Sequence, residues 1–208
     1  MTSTYKGKFI TVEGSEGSGK STQLNLLRKY LEKAGHDVLM LREPGGVKIS
    51  EKIRRILLDA ANEEMNKECE TLLYMAARAQ LVEEKLIPAL KSGKIVLCDR
   101  FLDSTVVYQG YGCGVNIDAI SSIGSFATQS IEPDLTLFFD IPVKKGMDRI
   151  QNRKLDRIEQ RSMDYHNKVR EGYQQLAQTY KERIKTIDVD QTIEEIHKIV
   201  IKCIDDIL

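Results

Sequence analysis

Short runs of apolar and β-branched residues recur along the chain at 9–12, 38–41, 95–98, 135–139 and 184–189, and longer stretches with helical periodicity separate them. That alternation predicts a parallel α/β sheet. The stretch after the first run, residues 22–31, places leucines at helical spacing and closes near Gly35. Tyr165, Val169, Tyr173, Leu176 and Tyr180 read as the buried stripe of a later helix, with no function attached to it. Turn signals agree with these boundaries: Ala34-Gly35-His36 leads into the second run, Ser92-Gly93-Lys94 into the third and Glu132-Pro133-Asp134 into the fourth. Gly110-Tyr111-Gly112-Cys113-Gly114 is predicted to be a flexible loop inside the domain. No repeat, low-complexity stretch or linker divides the chain, so residues 1–208 read as one domain.

Composition narrows the class without defining it. A chain of 208 residues with 41% hydrophobic and 30% charged residues has the makings of one cored domain. Its 31 basic residues balance its 31 acidic ones, so no overall positive field favours nucleic acid and no polybasic tail suggests a membrane surface. No apolar run approaches the roughly 20 residues of a membrane span, and the N-terminus lacks the basic start and apolar centre of a signal peptide. The expected location is cytoplasmic. Cys69, Cys98, Cys113 and Cys203 form no C-x-x-C pair and read as reduced structural thiols.

The chemistry is concentrated at the ends of the apolar runs, the edge where open α/β sheets bind ligands. After the first run comes Gly14-Ser15-Glu16-Gly17-Ser18-Gly19-Lys20-Ser21, a G-x-x-x-x-G-K-[ST] phosphate loop placed between strand and helix. Such a loop turns backbone N–H groups onto the phosphates of a nucleoside triphosphate. Lys20 adds charge near the β and γ groups, and the Ser21 hydroxyl is placed for Mg²⁺. After the third run, Asp99 reads as the second Mg²⁺ carboxylate, with Arg100 beside it as a fork for a phosphate; the bland alternatives are a capping carboxylate and its counter-charge.

Two further groupings are less self-evident. Residues 144–161 hold Lys144, Lys145, Arg149, Arg153, Lys154, Arg157 and Arg161 against Asp148, Asp156 and Glu159. Arg149, Arg153, Arg157 and Arg161 recur every four residues, where like charges on one helix face repel. A solvated helix face is one reading. A mobile lid that brings an arginine to the γ-phosphate, worth ~10³-fold or more in rate, is the other. Tyr74 and Arg78 share a helix face and could grip a base, or they could be a core tyrosine and an arginine paired with Glu70. Arg42-Glu43-Pro44-Gly45-Gly46 reads as a turn after the second run.

Taken in order, these segments resemble the thymidylate kinase family over nearly the whole chain. The resemblance lies in residues 11–23, Arg42-Glu43-Pro44-Gly45-Gly46, residues 72–78, Asp99-Arg100-Phe101 with Ser104 and Tyr108-Gln109-Gly110, and residues 155–159. It implies an α/β fold with a five-stranded parallel sheet flanked by helices, a homodimer, and Mg²⁺-dependent transfer of the γ-phosphoryl group of ATP to dTMP. Carried over by position, Gly14 to Thr22 would hold ATP and Glu16 would face the acceptor's 3′-hydroxyl. Arg100 would hold the dTMP phosphate, Tyr74 would stack on thymine, and Arg78 would reach its O4 edge. Ser104, Thr105 and Gln109 would line the acceptor, Tyr108 would crowd the sugar 2′ position, and Arg54 would lie near the acceptor. The phosphate loop has no arginine, so the lid, at about 144–161, would supply one; Arg153 and Arg157 are the candidates. Another nucleoside monophosphate or deoxynucleoside kinase remains the nearest rival. A GTP-dependent switch would need an N-K-x-D sequence, which Asn152-Arg153-Lys154-Leu155-Asp156 is not.

Overall fold

A computed structural model of the chain describes residues 5–152 and 154–208. Strands β1 (Lys8–Glu13), β2 (Val38–Arg42), β3 (Ile95–Asp99), β4 (Leu135–Asp140) and β5 (Ile184–Asp188) form one parallel sheet in the order β2-β3-β1-β4-β5. Each lies within a residue or so of its apolar run, because a sheet covered on both faces needs apolar residues at nearly every position. Successive residues serve opposite layers. Ile10, Leu97 and Leu137 face a core built with Leu24, Leu27 and Leu31 of α1 (Lys20–Lys33) and Ile196, Val200 and Ile204 of α9 (Ile193–Asp205). Phe9 and Val96 face the other side, where Leu81 ends α3 (Lys67–Leu81).

Strand register sets the site. Arg42 pairs with Asp99 and Val12 with Asp99, so the chain leaves β1, β2 and β3 at one edge and at one height. The segments Glu13-Gly14, Arg42-Glu43 and Asp99-Arg100 therefore emerge side by side. Helix α2 (Lys48–Leu58) and α3 flank that edge, together with α5 (Leu102–Thr105) and the π-helical turns Val106–Gly112 that continue it. Helix α6 (Ile117–Thr128) packs against α3, and α8 (Met163–Thr179) packs against the π-helical turns. The remaining elements are α4 (Ile87–Lys91), joined to α3 by π-helical turns, and α7 (Val143–Ile150).

One expectation changes, and one of two open readings closes. The predicted loop at 110–114 is helical through Gly112. Its glycines serve contact rather than mobility: a Cβ on Gly112 would strike the Tyr165 ring, and one on Gly172 of α8 would strike Tyr111. Helix α8 and the π-helical turns thus interlock, glycine to tyrosine in both directions. The basic stretch 144–161 is also not one helix. Helix α7 ends at Ile150, and the four-residue arginine spacing never becomes a single face.

Candidate active site

The phosphate loop leaves β1 with Gly14, Gly17 and Gly19 at positive φ. Gly17 is needed for more than its dihedral, since a Cβ there would collide with the Gly146 carbonyl of α7. At Gly19 a Cβ would meet nothing, so this turn opens onto free space. Lys20 folds back across the loop, donating to the carbonyls of Gly14 at 2.9 Å and Ser15 at 2.8 Å and to Ser18 Oγ at 3.3 Å. Burial and the nearby Arg100 push its ammonium down to about 8, against the opposing pull of Asp99, Glu16 and Glu13. The loop is a cationic cradle whose lysine is short of anionic partners.

Ser21 Oγ donates to Asp99 Oδ2 at 3.4 Å, bringing together a hydroxyl from the first turn of α1 and a carboxylate from the end of β3. Among the described residues no cluster of three or more His, Cys, Asp or Glu could cage a metal. A pair of hard oxygen donors beside a phosphate cradle suits Mg²⁺, and Ser21 and Asp99 would hold it.

Next to this lies Arg100, a non-glycine residue at φ 70. Glu13, fully buried beneath it, fixes that conformation by accepting the following N–H of Phe101 at 2.7 Å. Its other oxygen accepts from Ser104 Oγ at 2.6 Å and Tyr173 Oη at 2.8 Å. Burial, reinforced by Asp103, raises the Glu13 carboxyl to about 7. The Arg100 guanidinium then donates to Ser104 Oγ at 3.2 Å, Tyr173 Oη at 3.3 Å and Glu16 Oε1 at 3.1 Å, and lies over the Tyr108 ring. Burial alone would raise the Glu16 carboxyl, but His166, Arg100, Lys20 and Tyr108 together hold it well below the usual range.

Lys20, Ser21, Asp99, Arg100, Ser104 and Tyr108 line a cavity of about 370 Å³ that extends from Glu16–Thr22 to a second wall made by Arg54, Tyr74, Arg78, Thr105 and Gln109. Arg78 is 1% exposed and heavily engaged: it bonds Glu43 Oε2 at 2.8 Å, the Phe101 carbonyl at 3.0 Å and Thr105 Oγ1 at 3.0 Å. Its acidic partner is Glu43 of the Arg42-Glu43-Pro44 turn, not Glu70. Glu70 instead accepts from Gln109 at 2.8 Å. Arg54 donates to the Pro44 carbonyl at 2.8 Å. Gly14 and Ser15, which begin the loop, are not on the cavity wall; their carbonyls hold Lys20.

Of the two lid arginines singled out, Arg153 lies outside the described residues. Arg157 is turned away from the phosphate loop: it donates to Glu70 Oε2 at 2.5 Å and the Leu57 carbonyl at 2.8 Å, and Arg161 joins it on Glu70 at 2.6 Å. The buried Glu70 carboxylate answers the repulsion that the arginine spacing posed. Among the described arginines of this stretch, Arg149 reaches the loop, donating to the Gly17 carbonyl at 3.1 Å. Sequence reasoning also passed over Glu13, Glu43, Tyr173 and His166. The hydroxyl of Tyr173 could not be told from an ordinary core tyrosine, whereas Glu13 and Glu43 carried a signal, being charges at the ends of apolar strands.

A phosphate loop and a buried arginine facing one cavity at the carboxyl edge of a β2-β3-β1-β4-β5 sheet define a P-loop protein of the nucleoside monophosphate kinase type. The family model described as thymidylate kinase matches residues 12–200. The thymidylate kinase of Thermoanaerobacter sp. (strain X514) is 48% identical over 94% of this chain and 96% of its own, and that of Geobacillus sp. (strain WCH70) is 46% identical over 97% of each. The crystal structure of thymidylate kinase from Ehrlichia chaffeensis superposes with a TM-score of 0.78 at 32% identity, covering 95% of this chain and 98% of that one. The chain belongs to the thymidylate kinase family, whose members use ATP as phosphoryl donor with Mg²⁺.

Proposed function

We propose that the chain transfers the γ-phosphoryl group of ATP to dTMP, giving dTDP and ADP. The observation that carries this reading is one cavity lined by the phosphate loop, by Arg100 in contact with Glu16 of that loop, and by the Tyr74/Arg78/Gln109 wall. The nucleophile needs little activation. A phosphate monoester has its second pKa near ~6, so its dianion is present at pH 7. What remains is alignment and charge neutralisation. Gly14 to Thr22 hold the ATP phosphates, and Lys20 exchanges its loop carbonyls for the β and γ oxygens. Ser21 and Asp99 hold Mg²⁺, which supplies charge neutralisation to the phosphates when bound. Arg100, held rigid by Glu13, Ser104 and Tyr173, fixes the dTMP phosphate in line. Tyr74 stacks on thymine, Arg78 and Gln109 meet its polar edge with Thr105, Arg54 lies near the acceptor, and Tyr108 with Glu16 faces the sugar. Arg149 replaces Arg157 as the basic residue offered to the γ-phosphate.

The same reading extends to the assembly. Ile49 and Ile56 on α2, Leu72 on α3 and Phe126 on α6 are 47–85% exposed on three neighbouring helices, an apolar face that supports a homodimer. Residues 144–161 form the lid of one domain, and the protein works in the cytoplasm on small molecules rather than nucleic acid. Among the described residues no helix is long and apolar enough to cross a membrane. The test is ³¹P NMR of the protein with ATP, Mg²⁺ and dTMP. Appearance of dTDP and ADP together is the expected result, and an unchanged dTMP resonance would refute it.

A further inference from the structure

His166 is a buried imidazole that phosphoryl transfer leaves unused. It sits in the first turns of α8, is 1% exposed, and has no hydrogen-bond partner at either ring nitrogen. A histidine buried in this state forfeits hydrogen bonds that water would have given it, whereas a phenylalanine would fill the space without that loss. Its Nδ1 lies 3.6 Å from Glu16 Oε2, itself a buried carboxylate oxygen without a hydrogen-bond partner. Two orphaned polar atoms of complementary kind thus face each other, just beyond hydrogen-bond length; a shift of about half an ångström joins them. The other carboxylate oxygen is differently placed. Glu16 Oε1 accepts from Tyr108 Oη at 2.6 Å and from Arg100 Nη2 at 3.1 Å, and both of those residues line the cavity while His166 does not. The carboxylate therefore has a cavity side and a back side.

We infer that His166 is a positioning residue that holds Glu16 from behind, Nδ1–H to Oε2, so that Oε1 is presented to the 3′-hydroxyl of the acceptor sugar. The inference rests on the reading of Glu16 as the group facing that hydroxyl. A carboxylate pinned at both oxygens meets the hydroxyl in one orientation. Pinned at one, it turns, and the acceptor loses a charge-assisted hydrogen bond. The favourable influence of His166 on the ionised Glu16 is in keeping with this arrangement.

The test compares dTMP with its 3′-deoxy analogue in steady-state kinetics. His166→Phe is expected to raise KM for dTMP roughly tenfold while kcat stays within about threefold, and to lower the preference for dTMP over the analogue by a similar factor. His166→Asn, whose carboxamide nitrogen takes the place of Nδ1, is expected to restore most of that preference. Unchanged KM and preference in His166→Phe, or an equal fall in kcat for both acceptors, would overturn the inference. Glu16→Gln separates the two layers: if it leaves the preference intact, the reading of Glu16 itself fails, whereas a preference lost in Glu16→Gln but kept in His166→Phe refutes only the part given to His166. Should His166→Phe not fold, ¹⁵N NMR of the wild-type imidazole decides. A proton on Nδ1 whose resonance moves in Glu16→Gln supports the contact, and the Nε2–H tautomer contradicts it.

Discussion

At the scale of single residues, the site is made of charges held in deliberate imbalance. Arg78 and Glu43 are both nearly inaccessible, so each is tolerable only because of the other. Arg78→Ala is therefore predicted to destabilise the protein by about 3 kcal/mol in urea unfolding, because the buried Glu43 is left without its counter-charge. Adding Glu43→Gln should recover part of that loss while dTMP binding stays weak. Recovery of neither would show that the pair is not an isolated ionic unit. Lys20 is the opposite case, a cation lowered to about 8 chiefly by burial. Its folded value lies below its ordinary one, so it weighs against stability below pH 8 and ceases to do so as the pH rises towards 10.5. A bound triphosphate raises the value again, and the fraction of Lys20 present as neutral amine then takes up a proton. Calorimetry at pH 8 should show net proton uptake on ATP binding, read from the dependence of heat on buffer ionisation; no uptake would contradict this environment for Lys20.

At the scale of elements, partners distant in sequence decide what local pattern cannot. The strands were legible because a doubly covered sheet demands apolar runs, and the phosphate loop because its spacing is itself the chemistry. The segment 110–114 was not, since a glycine that admits Tyr165 looks the same in sequence as one that lets a loop move. The partner of Arg157 is illegible in the sequence for a related reason. That anionic partner, Glu70, lies on α3, 87 residues earlier in the chain. The consequence is a reversal between two residues one would treat alike. Arg149→Ala should lower kcat by tenfold or more, whereas Arg157→Ala should keep turnover within about threefold and cost ~1–3 kcal/mol of stability, Arg161 retaining part of the hold on Glu70. Equal losses of kcat in the two variants would show that Arg157 leaves Glu70 during the reaction.

At the scale of the whole molecule, parallel pairing brings three strand ends to one edge, and the cavity forms where their loops meet α3 and the α5 region. The exposed apolar residues of α2, α3 and α6 lie outside that cavity. Phe126→Glu, at a side chain 85% exposed, is predicted to convert a dimer to monomer in sedimentation without unfolding the subunit; an unchanged sedimentation coefficient would remove this face from the interface. The central claim is that the two ends of one cavity select ATP and dTMP. The most direct measurement is ADP release with ATP and Mg²⁺ against dTMP, dUMP, dCMP, dAMP, GMP and free thymidine, with a control lacking any acceptor. The account predicts release led by dTMP, with none from thymidine, which brings no phosphate for Arg100 to hold. Equal release with purine monophosphates, or release without an acceptor, would contradict it.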